Sequence, residues 1–227
     1  MERFRHSVAR PKVAIVAAVA LLAQPIFAFQ SPLSDESVRE AYFLGQRHDG
    51  SLERLFEKST RRFPVPKNGP FISSVMFVTP FVSAAQLSSN YIGNYSAQQA
   101  ELDHRQGGKE FVKITVEIQL TESYGQFIAP TNANSRSGSA STLIARPDDF
   151  WRDFQVHIFN GDEALSNSVY HGRLNYSCGD YGPCILTGAT LTFEFPADAF
   201  SADSATITVD PPEGEPVTAD FDLGRLR

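Results

Sequence analysis

The chain has 227 residues, a formal net charge of −6, 42% hydrophobic residues, 18 phenylalanines and two cysteines. That is enough apolar material for a packed core, which excludes a disordered polyelectrolyte. The acidic balance excludes a generic nucleic-acid binder, which needs a basic face to release counterions from phosphates.

The N-terminus sets the compartment. Arg3, Arg5, Arg10 and Lys12 stand against Glu2 alone, the uninterrupted apolar run Val13 to Ala23 follows, and QPIFA ends at Ala28. A basic region, a short apolar region and a small residue form a secretory signal, with cleavage expected after Ala28. The run is shorter than the roughly 20 apolar residues that cross a bilayer. The alternative is an uncleaved anchor helix, since Ile26 is an imperfect residue near the cut. With the leader removed, the chain from Phe29 onward carries −9, in keeping with an extracytoplasmic protein. No later segment is long and apolar enough to span a membrane, so the mature chain has no integral membrane segment.

Residues 29–68 read as a helical lead-in that packs on a β-rich domain, 69–227. In SDESVREAYFLGQR, Ser34 caps a helix, Asp35 and Glu36 sit in its first turn, and Gly45 is placed to stop it. In SLERLFEKSTRR, Ser51 is the cap and Leu52, Leu55 and Phe56 recur at helical spacing. PVPKNGP then ends the helical part.

The remainder is mainly β. FISSVMFVTPFV, Phe71 to Val82, reads as a strand in which Pro80 marks an edge or an end. One further helix is expected in YSAQQAELDHRQGG, capped by Ser96 with Gln99 three residues on. FVKITVEIQL alternates strictly, with Val112, Ile114, Val116, Ile118 and Leu120 on one face, so one face is buried and the other wet. TNANSRSGSAST, Thr131 to Thr142, reads as a flexible loop. FWRDFQVHIF, SVYHGRLNYSC and ATLTFEFP read as strands, and ATITVDPPEGEPVTADFDL as a hairpin. The class expected is mainly β (α+β): an antiparallel β-sandwich with a short N-terminal helical pair. An open β-barrel is the alternative.

Cys178 and Cys184 flank a loop of Gly, Asp, Tyr, Gly and Pro. Their spacing is neither that of a C-x-x-C redox pair nor that of a haem site. In an exported protein they form a structural disulfide. Zinc, with His157 and His171 as the nearest further ligands, is the alternative. No metal or cofactor is expected otherwise.

Catalytic signatures for zinc proteases, α/β-hydrolases and phosphate-binding loops are absent. Among the histidines, His157 stands out, with Asp153 four residues earlier. Asp148, Asp149 and Asp153 surround Trp151. Read as a carboxylate pair beside a sugar platform, they imply a hydrolase acting on a carbohydrate or envelope polymer. Read as a turn leading into a strand, they leave Trp151 to pack on the core, as its large area favours. Tyr181 at the tip of the stapled loop, with Tyr176 and Tyr170 on the strand before it, forms the best binding group. Asn94 and Asn175 each begin an N-Y-S glycosylation pattern.

The segments REAYFLGQR, Arg39 to Arg47, and YSAQQAELDHR, Tyr95 to Arg105, resemble segments of uncharacterised secreted bacterial proteins. The resemblance implies a bacterial envelope origin and no particular activity. The reading is therefore an exported, β-rich, non-enzymatic protein of the periplasm or extracellular space. Its role is interaction or structure, with an unidentified protein or carbohydrate partner.

Overall fold

The computed structural model describes residues 29–226 apart from 92, 94, 122–123, 126, 129–143, 167–168, 180–181 and 183. The expected leader, residues 1–28, and the expected loop at 131–142 lie outside the described residues. No helix among the described residues is long and apolar enough to cross a membrane.

Helix α1 spans Asp35–Gln46, and the Ser34 side chain accepts from Ser37 N at 3.2 Å. Gly45 does not stop it. The residue lies inside the last turn, where α1 crosses a later helix. A Cβ there would sit 2.0 Å from Ser88 Oγ and 2.1 Å from the Ala85 carbonyl. Helix α2 spans Ser51–Lys58. Its N-cap is Gly50 in the left-handed region (φ 75°), and Ser51 N donates to Asp49 Oδ1 at 3.0 Å. The expected cap, Ser51, is thus the first helical residue.

Strand β1 is Thr60–Arg62 and β2 is Pro70–Val78. The strand expected to run to Val82 ends earlier, because Pro80 opens a helix. Helix α3 spans Pro80–Asn90, with Thr79 as N-cap accepting from Val82 N at 3.3 Å. Proline suits this position, since its missing N–H would be unpaired there anyway. Helix α4 spans Ala97–Gly107, and Ser96 Oγ accepts from Gln99 N at 3.2 Å. The return half of the expected capping box is not made: the Gln99 amide donates to Asp103 at 2.7 Å instead.

The remaining strands are β3 (Phe111–Leu120), β4 (Phe127–Ile128), β5 (Ile144–Ala145), β6 (Gln155–Asn160), β7 (Glu163–Leu165), β8 (Val169–Ser177), β9 (Ile185–Pro196), β10 (Ser204–Asp210) and β11 (Val217–Asp222). Two antiparallel sheets result, ordered β1-β2-β3-β9-β8 and β11-β10-β6-β7, with β4 and β5 as a separate pair. The α3–α4 excursion connects β2 to its neighbour β3.

The two large sheets bury their inner faces against each other. In the five-stranded sheet, Phe77, Ile114 and Phe193 share one cross-strand row, and Val75, Val116 and Leu191 share the next. Ile158, Ile207, Ala219 and Phe221 face them from the other sheet within one core. Phe77 bridges the layers, with its ring 5.0 Å from Phe200, 5.6 Å from Phe221 and 6.3 Å from Phe29. Phe29, the expected first residue of the mature chain, is therefore a core residue, 5% exposed. Along one side, Arg61 closes the sandwich by donating to the Asp220 carbonyl at 3.0 Å and covering the Phe221 ring at 4.8 Å.

A second core lies among the helices and contains Val38, Ala41, Leu52, Phe81, Ala85 and Ala100. The helical lead-in packs here, against α3 and α4. Arg39 pairs with Glu101 at 2.7 Å, Arg105 pairs with Asp35, and the Tyr42 hydroxyl donates to the Tyr95 carbonyl at 2.8 Å. The neighbouring Arg105 guanidinium holds the Asp35 carboxyl below the usual carboxylate range.

Candidate functional site

The β8–β9 hairpin ends in the Cys178–Cys184 disulfide, with a Cα–Cα distance of 4.1 Å across a sequence separation of six. Both sulfurs are bonded to each other and so are not available as zinc ligands. His157 and His171 lie on different sheets. Among the described residues no cluster of three or more His, Cys, Asp or Glu side chains is placed to hold a metal. His157 pairs with Asp210 at 3.2 Å, not with Asp153, because β6 lies beside β10.

Of the three tyrosines singled out, Tyr181 lies outside the described residues. Tyr176 is 51% exposed near the stapled end, opposite Leu186, while the 56% exposed Ile185, opposite Ser177, lies on the other face of the ladder. Tyr170 lies six residues before Tyr176 on the same strand, about 20 Å away at the usual strand rise. Its ring stacks on Phe193 at 4.9 Å and meets Trp151 edge-on at 5.3 Å. Burial there pushes the Tyr170 hydroxyl pKa up. Tyr170 and Tyr176 therefore do not form one continuous stacking platform.

Trp151 lies in a short 3-10 turn, Phe150–Asp153, with its indole seated on Gly172 of β8. A Cβ at Gly172 would fall 2.4 Å from the Trp151 ring. Asp148, Asp149 and Asp153 are exposed around this turn, and Asp149 pairs with Arg152 at 3.8 Å. Trp151 turns inward while the acids turn outward.

The outer face of the five-stranded sheet carries one polar network. Thr190, buried at the centre, lies 3.0 Å from both oxygens of Glu117, and the Asn175 amide reaches Thr190 at 2.9 Å and Glu117 at 3.2 Å. The Asn175 amide of the second N-Y-S pattern is thus engaged within the sheet, while Asn94 lies outside the described residues.

A further site has no counterpart in the sequence reading. Where α3 and α4 meet the start of β3 there is a cleft of about 290 Å³, with Val38, Pro80, Ala84 and Ala100 among its apolar lining. Glu110 stands at its side, its side chain 9% exposed. It accepts from Ser31 Oγ and Leu33 N, both at 2.7 Å, and pairs with His104 Nε2 at 3.1 Å. One carboxylate thus ties the N-terminal segment and α4 to the start of β3. The Asp103 carboxylate stands near the Tyr95 hydroxyl. The Tyr95 pKa is pushed up to about 12, first by burial and then by the Asp103 charge. Ser83 also lines the cleft, but among the described residues His104 is hydrogen-bonded to Glu110 and to no serine. The cleft thus sets an apolar wall beside a carboxylate that is held by three partners. The sequence signal for it was weak: a histidine in LDH, then the Gly107–Gly108 break and Lys109–Glu110.

No family model matches the sequence, and no curated protein matches it.

Proposed function

We propose that the protein is an exported, non-enzymatic interaction protein of the periplasm or extracellular space, released by cleavage after Ala28. The basic-apolar-small pattern of residues 1–28 supports export, as does a disulfide, which persists in oxidising compartments. The observation that carries the interaction role is the stapled end of the β8–β9 hairpin. There Tyr176 and Ile185 stay exposed on a strand ladder braced by Cys178–Cys184. A braced loop loses less conformational entropy on binding, and a tyrosine offers large contact area with few rotatable bonds. The partner is a protein or carbohydrate outside the cytoplasm.

Site-specific photo-crosslinking tests this. A photoreactive residue is placed at Tyr176, at Ile185 and, as a control, at the 70% exposed Val65. A discrete adduct from positions 176 and 185 and none from 65 is the expected result. No adduct at any position, or the same set from all three, rejects the hairpin as the interaction surface.

A further inference from the structure

We propose that the protein pairs with a second copy of itself along β8, so that two five-stranded sheets join edge to edge across a two-fold axis. This goes beyond the partner sought at the stapled tip and rests on the edges of the sheets.

An open edge presents unpaired N–H and C=O groups, and proteins blunt such edges with shortness, charge, proline or a cover. Of the four edges of the two large sheets, three are blunted. β1 and β7 have three residues each, and β1 carries Arg61 and Arg62. β11 carries Asp220 and Asp222, and Arg61 takes its Asp220 carbonyl at 3.0 Å. β8 differs: it has nine residues, with no proline, lysine or acid among them. The one irregularity of its ladder lies in the neighbouring strand. Asn175 pairs with Gly188 and Tyr176 with Leu186, so Thr187 of β9 is the extra residue and β8 runs on unbroken. Thr187 Oγ1 donates to the Asn175 carbonyl at 3.1 Å, so the Asn175 backbone is turned toward β9. Alternation then turns the N–H and C=O groups of Tyr170, Gly172, Leu174 and Tyr176 outward. Among the described residues these outward groups have no partner.

A free ladder selects a strand as its occupant, because an extended backbone matches groups that recur at every second residue. A second copy supplies that strand already ordered. A loose segment of another protein would have to be fixed residue by residue, whereas β8 is held by β9 and ends one residue before the Cys178–Cys184 disulfide. Two-fold pairing also closes the assembly, since the joined sheet then ends in the short β1 strands. β8 has no acidic residue, so the charge that makes two acidic chains repel is kept off the seam. The register follows from the side chains. Centring the two-fold on Arg173 would set that cation against itself, which is unfavourable. Centring it on Leu174 sets Leu174 against Leu174, Arg173 against Asn175, His171 against Ser177, and Gly172 against Tyr176. That register brings the 51% exposed Tyr176 of each copy beside the other's Gly172 and the Trp151 indole seated on it.

The test is sedimentation equilibrium of the purified mature protein from micromolar to submillimolar concentration, with amide hydrogen exchange at both ends of the range. Only this chain is present, so the outcome does not depend on any other partner of the hairpin tip. The mass should rise from one chain to two. Exchange at Tyr170, Gly172, Leu174 and Tyr176 should slow about tenfold or more with it, while β3 exchanges at the same rate throughout. Tyr176→Lys puts a charge on the edge at an exposed position, and should hold the protein monomeric at unchanged melting temperature. A monomer at every concentration, a dimer whose β8 amides exchange as fast as in the monomer, or a dimer undiminished in Tyr176→Lys would each overturn the proposal.

Discussion

Adding one methyl group at Gly172 tests the packing of the sandwich edge. The new Cβ would lie 2.4, 2.5 and 2.7 Å from three atoms of the Trp151 ring. Carbon atoms in contact settle at about 3.5–4.0 Å, so the indole must retreat by about 1 Å or β8 must bend away. Overpacking of this kind costs about 1–3 kcal/mol. Retreat also loosens the edge contact with Tyr170, an aromatic pair worth about 0.5–1.5 kcal/mol. A glycine-to-alanine change at an unobstructed site instead gains about 0.4–1 kcal/mol, by restricting the unfolded chain. The sign therefore decides. Gly172→Ala should lower the unfolding free energy in guanidinium titration by about 2–3 kcal/mol. It should also shift the emission of the single tryptophan to the red. In a Trp151→Ala background the same change should be neutral or stabilising, because its obstacle is gone. A Gly172→Ala protein as stable as the parent, with unmoved emission, would refute this account of the Trp151 seat.

Three other outcomes follow from the same structure. Gly45→Ala should destabilise by about 3 kcal/mol, because the obstacle includes the Ala85 backbone, which cannot rotate aside as a side chain can; thermal unfolding reads this directly. Replacing Cys178 and Cys184 by serine should cost about 2–3 kcal/mol from the small loop they close, measured as a lower denaturant midpoint at unchanged secondary structure. Tyr95 should ionise near pH 12 in a spectrophotometric titration, and Asp103→Asn should bring that value down. Because the folded-state pKa is raised, the stability linked to Tyr95 is fully present below about pH 10 and is lost as pH rises through about 12. A Tyr95 pKa unmoved by Asp103→Asn would break the assigned pair.

The parts of the fold legible in the sequence are those where a local pattern meets a local reward. β3 alternates without exception, and every second residue from Val112 to Ile118 is fully buried. Ser34 and Ser96 announce their helices because their side chains bond backbone N–H groups three residues on. α3 was hidden because Pro80 follows an apolar β-like run, and proline ends a strand as readily as it opens a helix. The glycine at 45 looked like a helix stop because the crossing with α3 is a tertiary fact. Proximity along the chain points His157 to Asp153, while the sheet register supplies Asp210. The cleft was illegible for the same reason. Its walls come from 33–38, 80–87, 95–113, and only the folded chain brings Glu110 to Ser31 and Leu33. The tyrosines at 170 and 176 share a strand, yet the packing of Tyr170 between Trp151 and Phe193 separates their roles.

The chain is stapled at Cys178–Cys184, and we propose that it is exported and begins at Phe29. The most direct test is the intact mass of the protein recovered outside the cytoplasm, after alkylation with and without prior reduction. The account predicts the mass of residues 29–227 less two hydrogens, no alkylation before reduction, and two alkyl groups after it. A full 227-residue mass, or two thiols that react without reduction, would contradict it.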